Sequence, residues 1–280
     1  MKILHINCNY IGTMLHGLMI AGLRRLGHEN KVFVPTYDKR RSVVGEDEDV
    51  VVCECFRKWD RLLFDYKQSK IQKALQANYN IGEYDLMHAY TLYTDGNCAR
   101  KMSEKYGVPY VVAVRNTDVN VFMRLMPHLR SRGVKTMRAA KAVFFLSEAY
   151  KKQVFEKYVP AKYHEELQKK SYIIPNGIDD FWLKNISETE NELQGQIKLL
   201  YAGRIDRNKN IPTTQKAMQL LRQKGYDLKF TVVGKVADEA EFATIMANPF
   251  TEYISAKPKE ELIGIYRQHN IFVMPSFTET

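Results

Sequence analysis

The chain has 280 residues, 45% hydrophobic and 26% charged, with 42 basic and 32 acidic side chains giving a net charge of +10. That apolar content excludes a disordered chain, the length favours two domains over one, and the basic excess points to an anionic partner. No apolar run approaches the roughly 18 residues that a membrane-spanning helix needs.

The N-terminus, MKILHIN, enters a strand directly. It lacks the basic start, apolar middle and small-residue cleavage site of a secretory signal, so a cytoplasmic location is expected. Short runs rich in Val, Ile and Phe then alternate with helical patterns, the rhythm of βα units and a parallel sheet. Strands are predicted at 2–7, 31–34, 50–55, 85–89, 110–115, 142–146 and 172–174. Leu15, Leu18, Met19, Gly22 and Leu26 recur at helical spacing before a stop at Gly27, and a second helix stops at Gly107. Ser147 is a predicted N-cap directly after the strand AVFFL. The rhythm breaks from Pro175 to Gln196, which puts a domain boundary between 1–178 and 179–280. It restarts with strands at 197–201 and 228–233, a weak one near Tyr253 and another at 271–274, with helices ending near Gly225, following Asp238 and starting at Lys259. Two such blocks imply an α/β protein of two doubly wound domains. Cys8, Cys53, Cys55 and Cys98 show neither CxxC nor zinc-ligand spacing, so reduced thiols without a disulfide are expected.

Ligands of open α/β sheets bind beyond the carboxyl ends of strands. After the first strand come Asn7 to Thr13, with Gly12 allowing close approach of a ligand to the following helix, although any βα turn can use one glycine. This is not GxGxxG, and GxxxxGK[ST] is absent, which argues against a dehydrogenase and a P-loop enzyme. After the fifth strand, Arg115, Asn116, Thr117, Asp118 and Asn120 form a polar cluster, where Thr117 and Asp118 could serve as an N-cap pair while Arg115 asks for a ligand. His88 ends the strand DLMH and is either structural or part of the same mouth. In the second block, Gly203, Arg204, Lys209 and Asn210 converge on one strand-to-helix turn with Pro212 in the first helical turn, a geometry suited to a diphosphate.

Two further charge patterns carry less. Asp47-x-Asp49 precedes a strand, so it reads as a solvated loop and no metal site is expected. Basic residues between Arg124 and Lys170 read either as a patch for phosphorylated lipid or membrane, or as solvated helix faces. No nucleic-acid motif accompanies them.

Taken together, YAGRIDRNKN (201–210), IPNGID (174–179), TVVGK (231–235) and VMPSFTET (273–280) resemble family 4 of the retaining glycosyltransferases with two Rossmann-like domains, the GT-B fold. The resemblance spans the chain, and RNTDVN lies where many relatives carry a His-Gly-x-Asp or Arg-Gly-x-Asp element. It implies that Arg204 and Lys209 neutralise the leaving diphosphate in place of a metal, with Gly12 and Gly203 beside the donor. It places Glu279 on the first glutamate of a pair that holds donor-sugar hydroxyls and makes Asp118 a second catalytic candidate. His88, Arg115 and Asn116 become acceptor or sugar contacts. Two positions depart from the family pattern, Ile11 replacing one of two glycines and Asn116 standing where glycine is common. The second glutamate would fall eight residues beyond Glu279, so an incomplete second domain is expected, with this form silent in catalysis and self-associating.

The implied activity is transfer of a sugar, with retention, from a nucleoside diphosphate donor to a glycan or lipid-linked acceptor in bacterial surface polysaccharide assembly. No cofactor is implied; peripheral contact with an anionic membrane is an expectation that comes from the basic residues between Arg124 and Lys170. The alternatives are a nucleotide-sugar epimerase of similar fold and a nonenzymatic sugar-binding protein.

Overall fold

The computed structural model describes residues 1–11, 14–38, 48–186 and 195–277. The chain divides into two compact units, Met1–Asp179 and Asp180–Glu279.

The first unit is built on a seven-stranded sheet, β1 (Lys2–Ile6), β2 (Glu29–Thr36), β3 (Val50–Glu54), β4 (Leu86–Ala89), β5 (Tyr110–Val114), β6 (Ala142–Phe145) and β7 (Ser171–Ile173). Its spatial order is β3-β2-β1-β4-β5-β6-β7, and every neighbouring pair is parallel. Crossovers include α1 (Leu15–Arg25), α2 (Phe64–Asn78), α3 (Thr94–Tyr106), α4 (Arg130–Ala139), α5 (Glu148–Tyr158) and α6 (His164–Gln168). Strands buried on both faces explain the continuous apolar runs of the sequence. Leu4, Ile6, Phe33, Met87, Val112 and Phe145 are all buried in this sheet.

Helix ends follow the sequence signals. Gly107 caps α3 in the left-handed region at φ 75°, and Ser147 Oγ accepts from Tyr150 N at 3.3 Å to open α5. Thr117 and Asp118 do not form the expected N-cap pair; residues Asp118–Met123 run as a π-helical turn without a side-chain cap.

The second unit has four parallel strands in the order β10-β9-β8-β11: β8 (Ile197–Ala202), β9 (Leu228–Gly234), β10 (Thr251–Ser255) and β11 (Ile271–Phe272). With it go α7 (Asp180–Lys184), α8 (Ile211–Gln223), α9 (Glu239–Met246) and α10 (Lys259–Arg267). Asp238 caps α9 by accepting from Glu241 N at 3.1 Å. Its core gathers Tyr201, Ile205, Ile211, Met218, Phe230, Val232 and Ile245.

Both sheets contain a point where the strand order reverses direction. In the first unit it lies between β1 and β4, and in the second between β8 and β11. At such a point the loops from neighbouring strands diverge to opposite faces and leave a crevice at the carboxyl edge.

Candidate functional site

The crevice of the second unit is a cavity of about 450 Å³ lined by Tyr201, Ala202, Gly203, Arg204, Lys209 and Met274. These residues come from the ends of β8 and β11 and the turn into α8, so the reversal point and the predicted cationic turn coincide. Hydrogen bonds fix that turn. Gly203 N donates to Val233 O (2.9 Å), Tyr201 Oη donates to Arg204 O (2.8 Å), and Asp206 accepts from Asn208 N (3.0 Å). Asn210 takes the left-handed conformation, φ 53°, and its amide donates to Pro275 O at 3.0 Å, tying the turn to the segment after β11.

Two glycines make the turn sterically feasible. A Cβ on Gly234 would stand 1.7 Å from Gly203 O, so the loops after β8 and β9 touch backbone to backbone. Arg204 lies 65% exposed with Nε donating to Asp206 Oδ2 at 2.6 Å, an arrangement that aims the guanidinium without sequestering it. Helix α8 opens with Pro212 near its start, leaving its remaining first-turn amides at the same edge. The cavity thus presents cations and amide dipoles to a ligand and suits a diphosphate.

The reversal point of the first unit holds a different chemistry. Tyr90 Oη donates to His5 Nδ1 (3.0 Å), His5 Nε2 donates to Asn30 Oδ1 (2.9 Å), and Asn30 Nδ2 donates to His28 O (2.7 Å). Asn7 Nδ2 donates to His16 Nδ1 at 2.7 Å. His88, paired with His5 across β1 and β4, stacks on Tyr90 with ring centroids 4.4 Å apart. Burial lowers His5 and His16 to about 4 and His88 well below its ordinary value, the Arg115 charge adding to the effect on His16 and His88. All three are neutral near pH 7.

Arg115 and His88 meet through Tyr90, since Arg115 Nε donates to Tyr90 O at 3.4 Å. Arg115 Nη1 also donates to Asn176 Oδ1 at 2.7 Å, which brings the IPNGID segment to the mouth. Asn116 accepts from Asn120 Nδ2 at 2.8 Å. Asp118, the second catalytic candidate, is enclosed by backbone donors. It is 1% exposed, and its oxygens accept from Leu92 N (2.9 Å), Tyr93 N (3.2 Å) and Arg115 N (2.9 Å). Burial pushes its carboxyl up to about 6 despite these donors. A carboxylate so enclosed ties the loops after β4 and β5 together.

A second buried carboxylate does the same for the first loop. Asp95 accepts from Cys8 N (3.1 Å) and Thr91 Oγ1 (3.0 Å) and is pushed up by burial to about 7. Gly12 and Glu279 lie outside the described residues. Asp47 lies outside them too. Asp49 accepts from Arg24 Nη2 (2.9 Å) and Lys31 Nζ (2.6 Å) at the amino edge of β3, the edge of this sheet opposite its crevice. Among the described residues no group of three or more His, Cys, Asp or Glu side chains is placed to hold a metal ion.

Residues 18–180 match the model of Glycosyltransferase Family 4, and residues 184–280 match that of Glycosyl transferases group 1. The chain belongs to Glycosyltransferase Family 4. It is 27% identical over 217 residues to a D-inositol 3-phosphate glycosyltransferase of Pseudarthrobacter chlorophenolicus, covering 71% of this chain and 50% of that one. It is 26% identical over 208 residues to TuaC, a glycosyltransferase of Bacillus subtilis assigned to teichuronic acid biosynthesis, covering 70% and 48%. The chain spans about half the length of these relatives. An Escherichia coli structure, trehalose-6-phosphate bound with UDP-2-fluoro glucose, superposes with a TM-score of 0.67 at 9% identity, covering 100% of this chain and 79% of that one. The fold is GT-B.

His16, Tyr90, Asn176, Asp206 and Gly234 are structural parts of the two crevices beyond the predicted site residues. Asn176 and Gly234 lie inside the quoted motifs IPNGID and TVVGK, but their partners are 61 and 31 residues away, which motif reading does not reveal.

Proposed function

We propose that this glycosyltransferase takes its sugar from a nucleoside diphosphate, with Arg204 and Lys209 facing the diphosphate, and passes it with retention of anomeric configuration to a glycan or lipid-linked acceptor. The supporting observation is the convergence of Gly203, Arg204 and Lys209 on the reversal-point cavity of the second unit. Preplaced cations stabilise the charge that develops on the departing nucleotide, so no divalent ion is needed for that task. The neutral histidine cluster and Arg115 in the first unit supply hydrogen-bonding and stacking groups for an acceptor sugar. A role in bacterial surface polysaccharide assembly draws support from the relative assigned to teichuronic acid biosynthesis. The protein acts at the cytoplasmic side.

Kinetics with a donor sugar test this reading. In a version that spans the full length of its relatives, Arg204→Ala and Lys209→Ala each lower kcat/KM by about tenfold to a hundredfold, the scale of losing a charged transition-state contact. Turnover persists in chelator, and nuclear magnetic resonance of the product shows the donor's anomeric configuration. Unchanged kinetics in both variants, or turnover lost in chelator and restored by magnesium, would overturn it.

A further inference from the structure

From the segment after β3 into the first turn of α2 the chain carries a run of large apolar side chains that nothing in the first unit covers. Trp59 is 78% exposed, Leu62 80%, Leu63 64% and Tyr66 52%. Their neighbours Arg57, Lys58 and Arg61 are exposed as well. The acid in this run, Asp60, is turned inward, accepting from Arg57 N and Lys70 Nζ, each at 2.7 Å. Asp65 is engaged by Arg132. The outward charge of the run is therefore positive.

The run is continuous with a second exposed strip. Phe64 meets Phe122 with ring centroids 6.3 Å apart, and from the segment after β5 Val121, Arg124 and Leu125 face outward. Both strips follow the carboxyl ends of strands, so they share an edge with the crevice holding His88 and Arg115.

We propose that Trp59, Leu62, Leu63 and Tyr66 form a surface that docks on a bilayer containing anionic lipid. Separate protruding apolar side chains interleaved with cations match the headgroup region, where indole and phenol rings sit at the boundary and Lys or Arg reach phosphates. Each cation near such a surface adds to binding and is screened by salt. The basic residues from Arg130 onward are less suited. Arg132, Arg138 and Lys169 are held by Asp65, Glu166 and Glu165, and Lys170 donates to Ala140 O. Docking through the β3 to α2 run brings the acceptor crevice to the lipid surface, a consequence that rests on the proposed lipid-linked acceptor.

The chain has two tryptophans, and Trp182→Phe leaves Trp59 as the single reporter. With vesicles of phosphatidylglycerol and phosphatidylcholine in equal parts, Trp59 emission is expected to shift to the blue and be quenched by brominated acyl chains. Added salt weakens binding, and vesicles of phosphatidylcholine alone bind less. In co-sedimentation, Trp59→Ser with Leu62→Ser weakens binding by about tenfold or more, as expected when two large apolar groups no longer leave water. Arg57→Gln with Lys58→Gln and Arg61→Gln flattens the salt dependence, whereas Lys151→Gln with Lys152→Gln changes neither. Trp59 emission unmoved by the anionic vesicles would overturn the proposal, as would full vesicle binding by the Ser variant. A change in oligomeric state of that variant without vesicle binding by the parent would assign the surface to a second copy of the chain instead. Donor binding measured on the same samples keeps failure of this surface distinct from failure of the transfer reading.

Discussion

Asp118 holds three backbone N–H groups from two loops, so its removal leaves buried donors without partners. Asp118→Ala is expected to destabilise the first unit by about 3 kcal/mol or more in denaturant unfolding, given the cost of each unsatisfied buried group. A loss under about 1 kcal/mol would show that water replaces the carboxylate. His5 gives a second test at this scale. Its folded pKa lies below the unfolded value, so the neutral form stabilises above about pH 6.5, and that contribution falls away as pH drops towards 4. The buried carboxyls of Asp95 and Asp118 act oppositely, since their raised values favour the fold as pH falls. The His5 effect therefore appears as a difference: between pH 7 and pH 5, His5→Gln should lose on the order of 2 kcal/mol less stability than the parent. Equal losses would show that His5 is not held neutral. The polar character of RNTDVN is legible in the sequence, but the role of Asp118 is not, because the amides of Leu92 and Tyr93 lie 26 and 25 residues away.

Among the elements, the turn from β8 to α8 depends on the turn after β9. Gly234→Ala would drive a Cβ into Gly203 O, and neither backbone can yield without breaking the bond from Gly203 N to Val233 O. The expected result is a loss of about 2 kcal/mol or more together with loss of diphosphate binding. Parental affinity and unfolding midpoint would contradict this. The strands and the stops at Gly27, Gly107 and Gly225 are legible because apolar runs and positive-φ glycines are local properties. Helix α2 is harder to read. Its buried face contains Lys67 and Gln68 beside Ile71 and Leu75, which breaks the apolar period. Those two polar groups are satisfied by α3, Lys67 Nζ donating to Thr94 Oγ1 (3.1 Å) and Gln68 Nε2 to Thr94 O (3.1 Å), and such partners are invisible to local pattern.

At the scale of the whole molecule, two parallel sheets each place their chemistry at a reversal of strand order, cationic in the second unit and histidine-rich in the first. The alternation of strands and helices reveals the sheets, while strand order, and so the place of each crevice, follows only from the fold. No helix among the described residues is long and apolar enough to cross a membrane. Calorimetric titration of this chain with a nucleoside diphosphate and with the matching monophosphate reads the cationic crevice most directly. The diphosphate should bind about tenfold tighter, and Arg204→Ala or Lys209→Ala should reduce it to the level of the monophosphate. Equal affinity for both nucleotides in the parent, unchanged in both variants, would contradict the assignment of this cavity to the donor.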